Sequence, residues 1–176
     1  MNLREHLELL EDPRNPSGRR YSLISIMLLL LAGLLAGQTS LKRICLWGKS
    51  LSREAKALLG FKDNLPWTST LSILLRRIDV AQLESIFGAY VRGEVHEDER
   101  HLALDGKTLK NSAQDTVPAV HLLSLFLTKA EGVISQIRMD NGENEITTAL
   151  RLIEMTDIEG KIVTGDAMFS QKKFAN

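Results

Sequence analysis

The 176-residue sequence has a single cysteine, Cys45, and no excess of charge in either direction. One thiol excludes an intramolecular disulfide framework and any zinc cluster built on several thiolates, and it fits a reducing cytoplasm. Cys45 itself reads as a small apolar residue of the core. Twenty-two Lys and Arg balance twenty-two Asp and Glu, so the chain as a whole lacks the basic excess typical of a nucleic-acid binder. Internal repeats and low-complexity segments are absent. Two motifs are incomplete. The Gly106-Lys107-Thr108 triplet would need a glycine at position 101 to make a phosphate-binding loop, and His101 stands there. His96-Glu97 would need a histidine at position 100 to make a zinc helix, and Arg100 stands there.

What is present is a globular composition, 44% hydrophobic and 25% charged, in a chain long enough to build a real core. The charge is unevenly spread. Residues 1–62 carry ten basic against five acidic side chains, residues 63–104 four against seven, and residues 105–176 eight against ten. A polyanion should therefore meet the N-terminal part first. The apolar run from Tyr21 to Gly37 is about 17 residues, the short edge of a bilayer span. An acidic opening precedes it where a secretory signal would be basic, and no cleavage site follows, so it is expected to be a buried helix without a membrane role.

Periodicity divides the chain near residue 100. Before it, helices are expected over Leu3–Glu11, with Leu3, Leu7 and Leu10 on one face, over the apolar run, and from a cap at Thr39 or Ser40 through to Gly60. Two more follow the DNLPW break, the first capped by Thr68 or Ser69. The second is capped by Asp79, with Val80, Leu83, Ile86, Phe87 and Val91 in one stripe. The basic turn DPRNPSGRR lies between the first two helices, and the acidic EVHEDER reads as a solvated linker. Beyond it, LALD ends on Asp105 and breaks at Gly106. AVHLLSLFLTKA and VISQIRMD are joined by a hairpin at Glu131-Gly132, ENEITTALRLIEM is a helix, and KIVTGD is a buried strand ending on Asp166. The fold class is α/β: a helical region over 1–95, then strand, strand, strand, helix, strand over 101–176.

A helix crossing between strands of one sheet makes the last strand parallel to an earlier one. If the last lies beside the first, Asp105 and Asp166 emerge together at the carboxyl ends of their strands, where open α/β sheets hold their sites. Adjacent carboxylates repel unless a cation lies between them, and Mg²⁺ prefers such oxygen ligands. The competing explanation is that strand-end aspartates simply cap turns.

In order along the chain, DPRNPSGRRYSL, the LxxICLWGKS segment, LALDGKTLKNS, AVHLLSLF, NEIT and KIVTGDAMFSQKKFA resemble the DDE-type insertion-sequence transposases, in the branch of the H-repeat-associated proteins. The resemblance implies a transposase-associated helical region and a ribonuclease H-like core that cuts and joins DNA with three acidic residues and two divalent ions, Mg²⁺ or in its place Mn²⁺. Asp105 and Asp166 match the first two family carboxylates, as catalytic residues and metal ligands. The third, a glutamate on a later helix, has no counterpart, so the chain is expected to be a C-terminally truncated core, inactive alone. Glu143 and Glu145 precede Asp166 and suit a helix N-terminus better. Where the family commonly has Lys-Ser before NEI, this chain has Gly142-Glu143. DNA is the implied partner, and a homo-oligomer stays open. The candidate phosphate contacts are Arg14, Arg19, Arg20, Lys42, Arg43, Lys49 and Arg53, with Lys107 and Lys110 near Asp105. A DNA-binding remnant without chemistry is the alternative, and a small membrane or interaction protein built on the apolar helix is a third.

Overall fold

Polar caps and glycines set the helices of the first half. In the computed structural model, which describes residues 1–94, 100–109, 112–113, 118–128, 132–140, 142–166 and 169, Asn2 and Glu5 form a reciprocal capping box on α1 (Leu3–Leu7). Leu7 and Leu10 are buried from this stretch, although the helix is shorter than its periodicity predicts. Arg14, Asn15 and the Pro16–Gly18 3-10 turn follow. Ser22 then caps α2 (Leu23–Leu35), accepting from the Ser25 amide at 3.0 Å. Helix α2 buries Leu23, Ile26, Met27, Leu29 and Leu30. At about 20 Å it is shorter than a bilayer core, and among the described residues no helix is long and apolar enough to cross a membrane.

The span from Ser40 to Gly60 is two helices, α3 (Leu41–Ser50) and α4 (Arg53–Leu58), in place of the single one expected. Leu51 is extended (φ −62°, ψ 148°) and Ser52 starts a new helix by accepting from the Ala55 amide. A serine able to bond the backbone locally competes with helix continuation, and here it wins. Helix α4 stops at Gly60, whose φ of 87° suits glycine. The bonds Gly60 N–H to the Ala57 carbonyl and Phe61 N–H to the Lys56 carbonyl close this end.

Trp67 occupies the cap position of α5 (Thr68–Leu75) without a side-chain cap bond, so neither Thr68 nor Ser69 caps it. The Thr68 hydroxyl is engaged with Cys45 Sγ instead, at 3.6 Å. Asp79 does cap α6 (Val80–Glu94), accepting from the Gln82 amide at 3.1 Å. In the expected stripe of α6, Ile86 is buried and Val80 is exposed. The acidic linker at 95–99 lies outside the described residues.

The chain divides inside α6 into two compact units, Met1–Ile86 and Phe87–Asn176. The first carries twelve basic and eight acidic residues, the second ten and fourteen. The second unit holds β1 (His101–Thr108), β2 (His121–Leu127), β3 (Gly132–Arg138), α7 (Glu145–Glu154) and β4 (Ile162–Gly165). Its sheet order is β3-β2-β1-β4, antiparallel through the first three and parallel between β1 and β4. The strand, strand, strand, helix, strand order is thus observed. The hairpin residue Glu131 lies outside the described residues.

Two local expectations need correction. Strand β1 does not break at Gly106, which pairs with Leu123 as the strand runs on to Thr108. Strand β4 is not buried: among the described residues it is an edge strand paired only with β1, and Ile162 is 50% exposed. One face of the sheet, formed by Leu102, Leu104, Leu123, Leu125 and Leu127, packs with Ala149 and Leu152 of α7. The end of α6 crosses β3 so closely that a Cβ on Gly88 would fall 2.2 Å from the Ile134 carbonyl oxygen, which also accepts from Arg92 at 3.0 Å.

That contact is backbone and cannot fold away. Gly88→Ala should therefore destabilise the second unit by about 1–3 kcal/mol through overpacking. Gly93→Ala, in open space on the same helix, should be neutral or stabilising by up to about 1 kcal/mol from helix propensity. Thermal denaturation of the two variants checks both signs.

Candidate functional site

The parallel register fixes where the two aspartates lie. Leu102 pairs with Val163 and Leu104 with Gly165, so Asp105 and Asp166 each follow the last position paired between β1 and β4, although β1 itself runs on to Thr108 along β2. They sit at the same level on strands about 4.8 Å apart. Both are exposed. Side chains alternate along β1, so Asp105 and Lys107 project from the face opposite the leucine core. Just beyond, Phe169 N–H bonds to the Asp166 carbonyl at 2.8 Å, and the Phe169 ring packs against Gly165, where a Cβ would meet it at 3.0 Å. Asp166 therefore directly follows the end of β4, with its carbonyl bonded by the Phe169 amide.

The two glutamates of the crossover helix do other things. Glu143 is bound by Arg151 and by the Asp140 amide. That amide, followed by the Arg151 charge, holds its carboxyl below the usual range against the cost of desolvation. Asn144 caps α7 by accepting from the Ile146 amide. Glu145 lies against Gly106: a Cβ there would stand 3.5 Å from Glu145 Oε1. Gly106 belongs to the covered face of β1, so Glu145 approaches from the side opposite Asp105. Among the described residues no three His, Cys, Asp or Glu side chains converge to hold a metal. Asp105 and Asp166 suit a hard divalent cation in donor chemistry, because such an ion keeps several waters and needs few carboxylates.

The basic candidates separate into committed and open groups. Arg14 is committed: its guanidinium grips Asp12 at 2.8 Å, donates to the Tyr21 carbonyl at 2.9 Å, and its side chain is only 11% exposed. Arg19 joins the same cluster through the carbonyls of Asp12 and Arg14. Both hold the turn before α2. Arg20, Lys42, Arg43, Lys49 and Arg53 are exposed, as is Lys107 of β1, and Lys110 lies outside the described residues. Within the first unit, Arg20 and Lys49 border a cavity of about 440 Å³ with Lys56 and Trp67. The sequence reading passed over Lys56 and Trp67. The available signal was a tryptophan directly after Pro66, in a break between helices, within a basic region.

Residues 4–91 match the family model described as DDE_Tnp_1-associated. The H repeat-associated putative transposases YhhI and YbfD of Escherichia coli K12 are 32% and 30% identical, each over 98% of this chain. The matched region is 47% of YhhI and 70% of YbfD. A protein named for a location, the "Uncharacterized protein in dhlA 3'region" of Xanthobacter autotrophicus, is 27% identical over 99% of this chain and 60% of its own length. The chain thus spans about half the length of YhhI. No solved structure matches.

The Asp12 cluster yields a pH test. The hydrogen bond from Arg14 holds the Asp12 carboxyl below its ordinary value of 3.8, against desolvation. A depressed carboxyl stabilises the fold above that value, and the contribution is lost as pH falls through the lower folded-state value. Asp12→Asn should cost about 1–3 kcal/mol at neutral pH, as expected for a hydrogen bond to a charged group. The gap to the unmodified chain should close in acid, as followed by thermal melts across pH.

Proposed function

The chain belongs to the DDE_Tnp_1-associated family of H repeat-associated transposases, and from that membership we propose that it is part of a transposase acting on insertion-sequence DNA. In this reading residues 1–95 are the transposase-associated helical region and hold DNA by its phosphates. Residues 101–176 form part of a ribonuclease H-like core in which Asp105 and Asp166 are catalytic. The observation that carries it is the parallel register of β1 and β4, which brings these two aspartates to the same level on neighbouring strands.

The chemistry proposed is metal-assisted phosphoryl transfer. A divalent ion, Mg²⁺ or Mn²⁺, supplies charge stabilisation for the attacking and leaving oxygens of the phosphodiester. Asp105 and Asp166 would hold it by carboxylate oxygens. Lys107, two residues beyond Asp105 on the same face of β1, is in place to meet a phosphate. Glu145 and Glu143 take no part, one lying on the covered face and the other bound to Arg151.

A second reading is favoured by one observation: no third carboxylate joins the pair among the described residues. In that reading these 176 residues bind DNA without cutting it, since in-line displacement asks for stabilisation of both oxygens. A nicking and strand-transfer assay with Mg²⁺ or Mn²⁺, on DNA carrying the element's ends, separates the two. No cleavage is expected from this chain alone. Cleavage that disappears in Asp105→Ala would show that a partner copy or another side chain completes the site.

DNA binding itself is expected to be weak, indifferent to sequence and steeply salt-dependent, because phosphate contacts release counterions. With about four phosphates engaged, affinity should fall roughly a hundredfold between 50 and 200 mM salt. The Lys42→Ala/Arg43→Ala variant should flatten the dependence by about 0.9 in slope for each contact removed. A titration across salt concentrations reads both quantities, and binding that ignores salt would exclude the phosphate-contact reading.

A further inference from the structure

We propose that the cavity of the first unit is a seat for one unstacked nucleotide of single-stranded DNA, with the base on Trp67 and the phosphate on Arg20 and Lys56. The proposal rests on the DNA-binding reading and specifies what the N-terminal unit recognises. The cavity, about 440 Å³, has the size of a small-ligand site.

Trp67 is 68% exposed, an unusual placement for the most hydrophobic of ring systems, and the protein holds it there firmly. On one side Pro66 is buried and its carbonyl accepts from Cys45 Sγ at 3.6 Å; on the other the Thr68 hydroxyl reaches the same sulfur. One step earlier, Tyr21 donates its hydroxyl to the Leu65 carbonyl at 3.1 Å, with its own ring set edge-on against Phe61. The segment carrying the indole is pinned at Leu65, Pro66 and Thr68 while the ring stays largely exposed.

Cations border the same cavity. Lys49 Nζ lies 4.0 Å over the centroid of the Trp67 ring. Lys56 donates to the Lys49 carbonyl at 2.8 Å, which fixes a second charge at the end of α3. The Arg20 guanidinium, also at the rim, forms no ion pair with a described residue. Against these three stands one carboxylate, Asp63, with the Asn64 amide beside it. The local balance is positive, and the two neighbours offer an acceptor and an amide to a base edge.

An exposed aromatic platform among cations is the chemistry that holds single strands: bases stack on the ring while the charges follow the phosphates. A duplex keeps its bases stacked on each other, so it offers the phosphates but not the base. Phosphate alone would satisfy the cations and make no use of the exposed area of the indole left beside Lys49, and an apolar protein partner would find three charges in its way.

The test uses the whole chain with Trp47→Phe, which leaves Trp67 as the only indole. Its fluorescence and binding are followed with a short oligothymidylate, with a blunt duplex of the same length, and with inorganic phosphate. The oligothymidylate should quench Trp67 and bind more tightly than the duplex. In the otherwise unmodified chain, Trp67→Ala should weaken oligothymidylate binding about tenfold, within the range that base–aromatic stacking contributes. Duplex binding should stay unchanged, and Trp67→Phe should restore part of the loss. Equal binding of oligothymidylate and duplex, both indifferent to Trp67→Ala, would overturn the seat and leave the DNA-binding reading standing. Quenching by phosphate matching that by the oligothymidylate would overturn it in favour of a plain anion site. Failure to bind either DNA would remove the seat and the reading beneath it.

Discussion

Four residues of β4 set the arrangement of the second unit. Without the pairing of Ile162–Gly165 alongside His101–Leu104, the sheet would be an antiparallel three-stranded ribbon, and Asp166 would have no fixed relation to Asp105. The pairing depends on α7, which carries the chain back across the leucine face so that β4 runs parallel to β1. Phe169 then folds under Gly165, a close approach that a side chain at position 165 would hinder. The geometry of the carboxylate pair is thus a product of packing on the face opposite to it.

Much of this was legible before the structure. The change of period near residue 100 is a direct consequence of how helices and strands present apolar residues, and the order of elements followed from it. That the last strand runs parallel to an earlier one followed from the crossover helix, and its place beside the first, entertained as a condition, is what the register shows. What escaped the sequence was decided by contacts over longer range. Gly106 reads as a breaker only until Leu123 is seen opposite it. The apolar look of Ile162 and Val163 predicts a buried strand, but at the edge of the sheet Ile162 is exposed and Val163 only partly covered. The split of α3 from α4 turned on Ser52, a cap signal outweighed in the reading by the helical periodicity around it.

The same distinction governs the charges. Counting Lys and Arg places a basic excess in the first unit, and that excess is there. Counting cannot tell that Arg14 is used to tie Asp12 and the Tyr21 carbonyl together, or that Lys49 lies over an indole. A guanidinium paired with a carboxylate and largely removed from water must break that pair before it can meet a phosphate. Of the arginines in the turn before α2, Arg20 is therefore the one suited to a polyanion, while Arg14 and Arg19 shape the loop that presents it.

The charge division has a consequence for how such a chain would work on DNA. The second unit carries fourteen acidic against ten basic residues, and its proposed site adds two carboxylates at one end of a sheet. A phosphodiester approaching that end is repelled at longer range by the unit's net charge, and at contact by the aspartates themselves. A divalent ion bound by the two aspartates would reverse the sign at the site itself. Attraction from farther away has to come from elsewhere in the chain, and twelve basic against eight acidic residues of the first unit supply the opposite sign. In the proposed reading, capture of DNA by the first unit and metal-assisted chemistry at the aspartates are separate tasks, and Lys107, on the same face of β1 as Asp105, would bridge them by meeting the phosphate once it arrives.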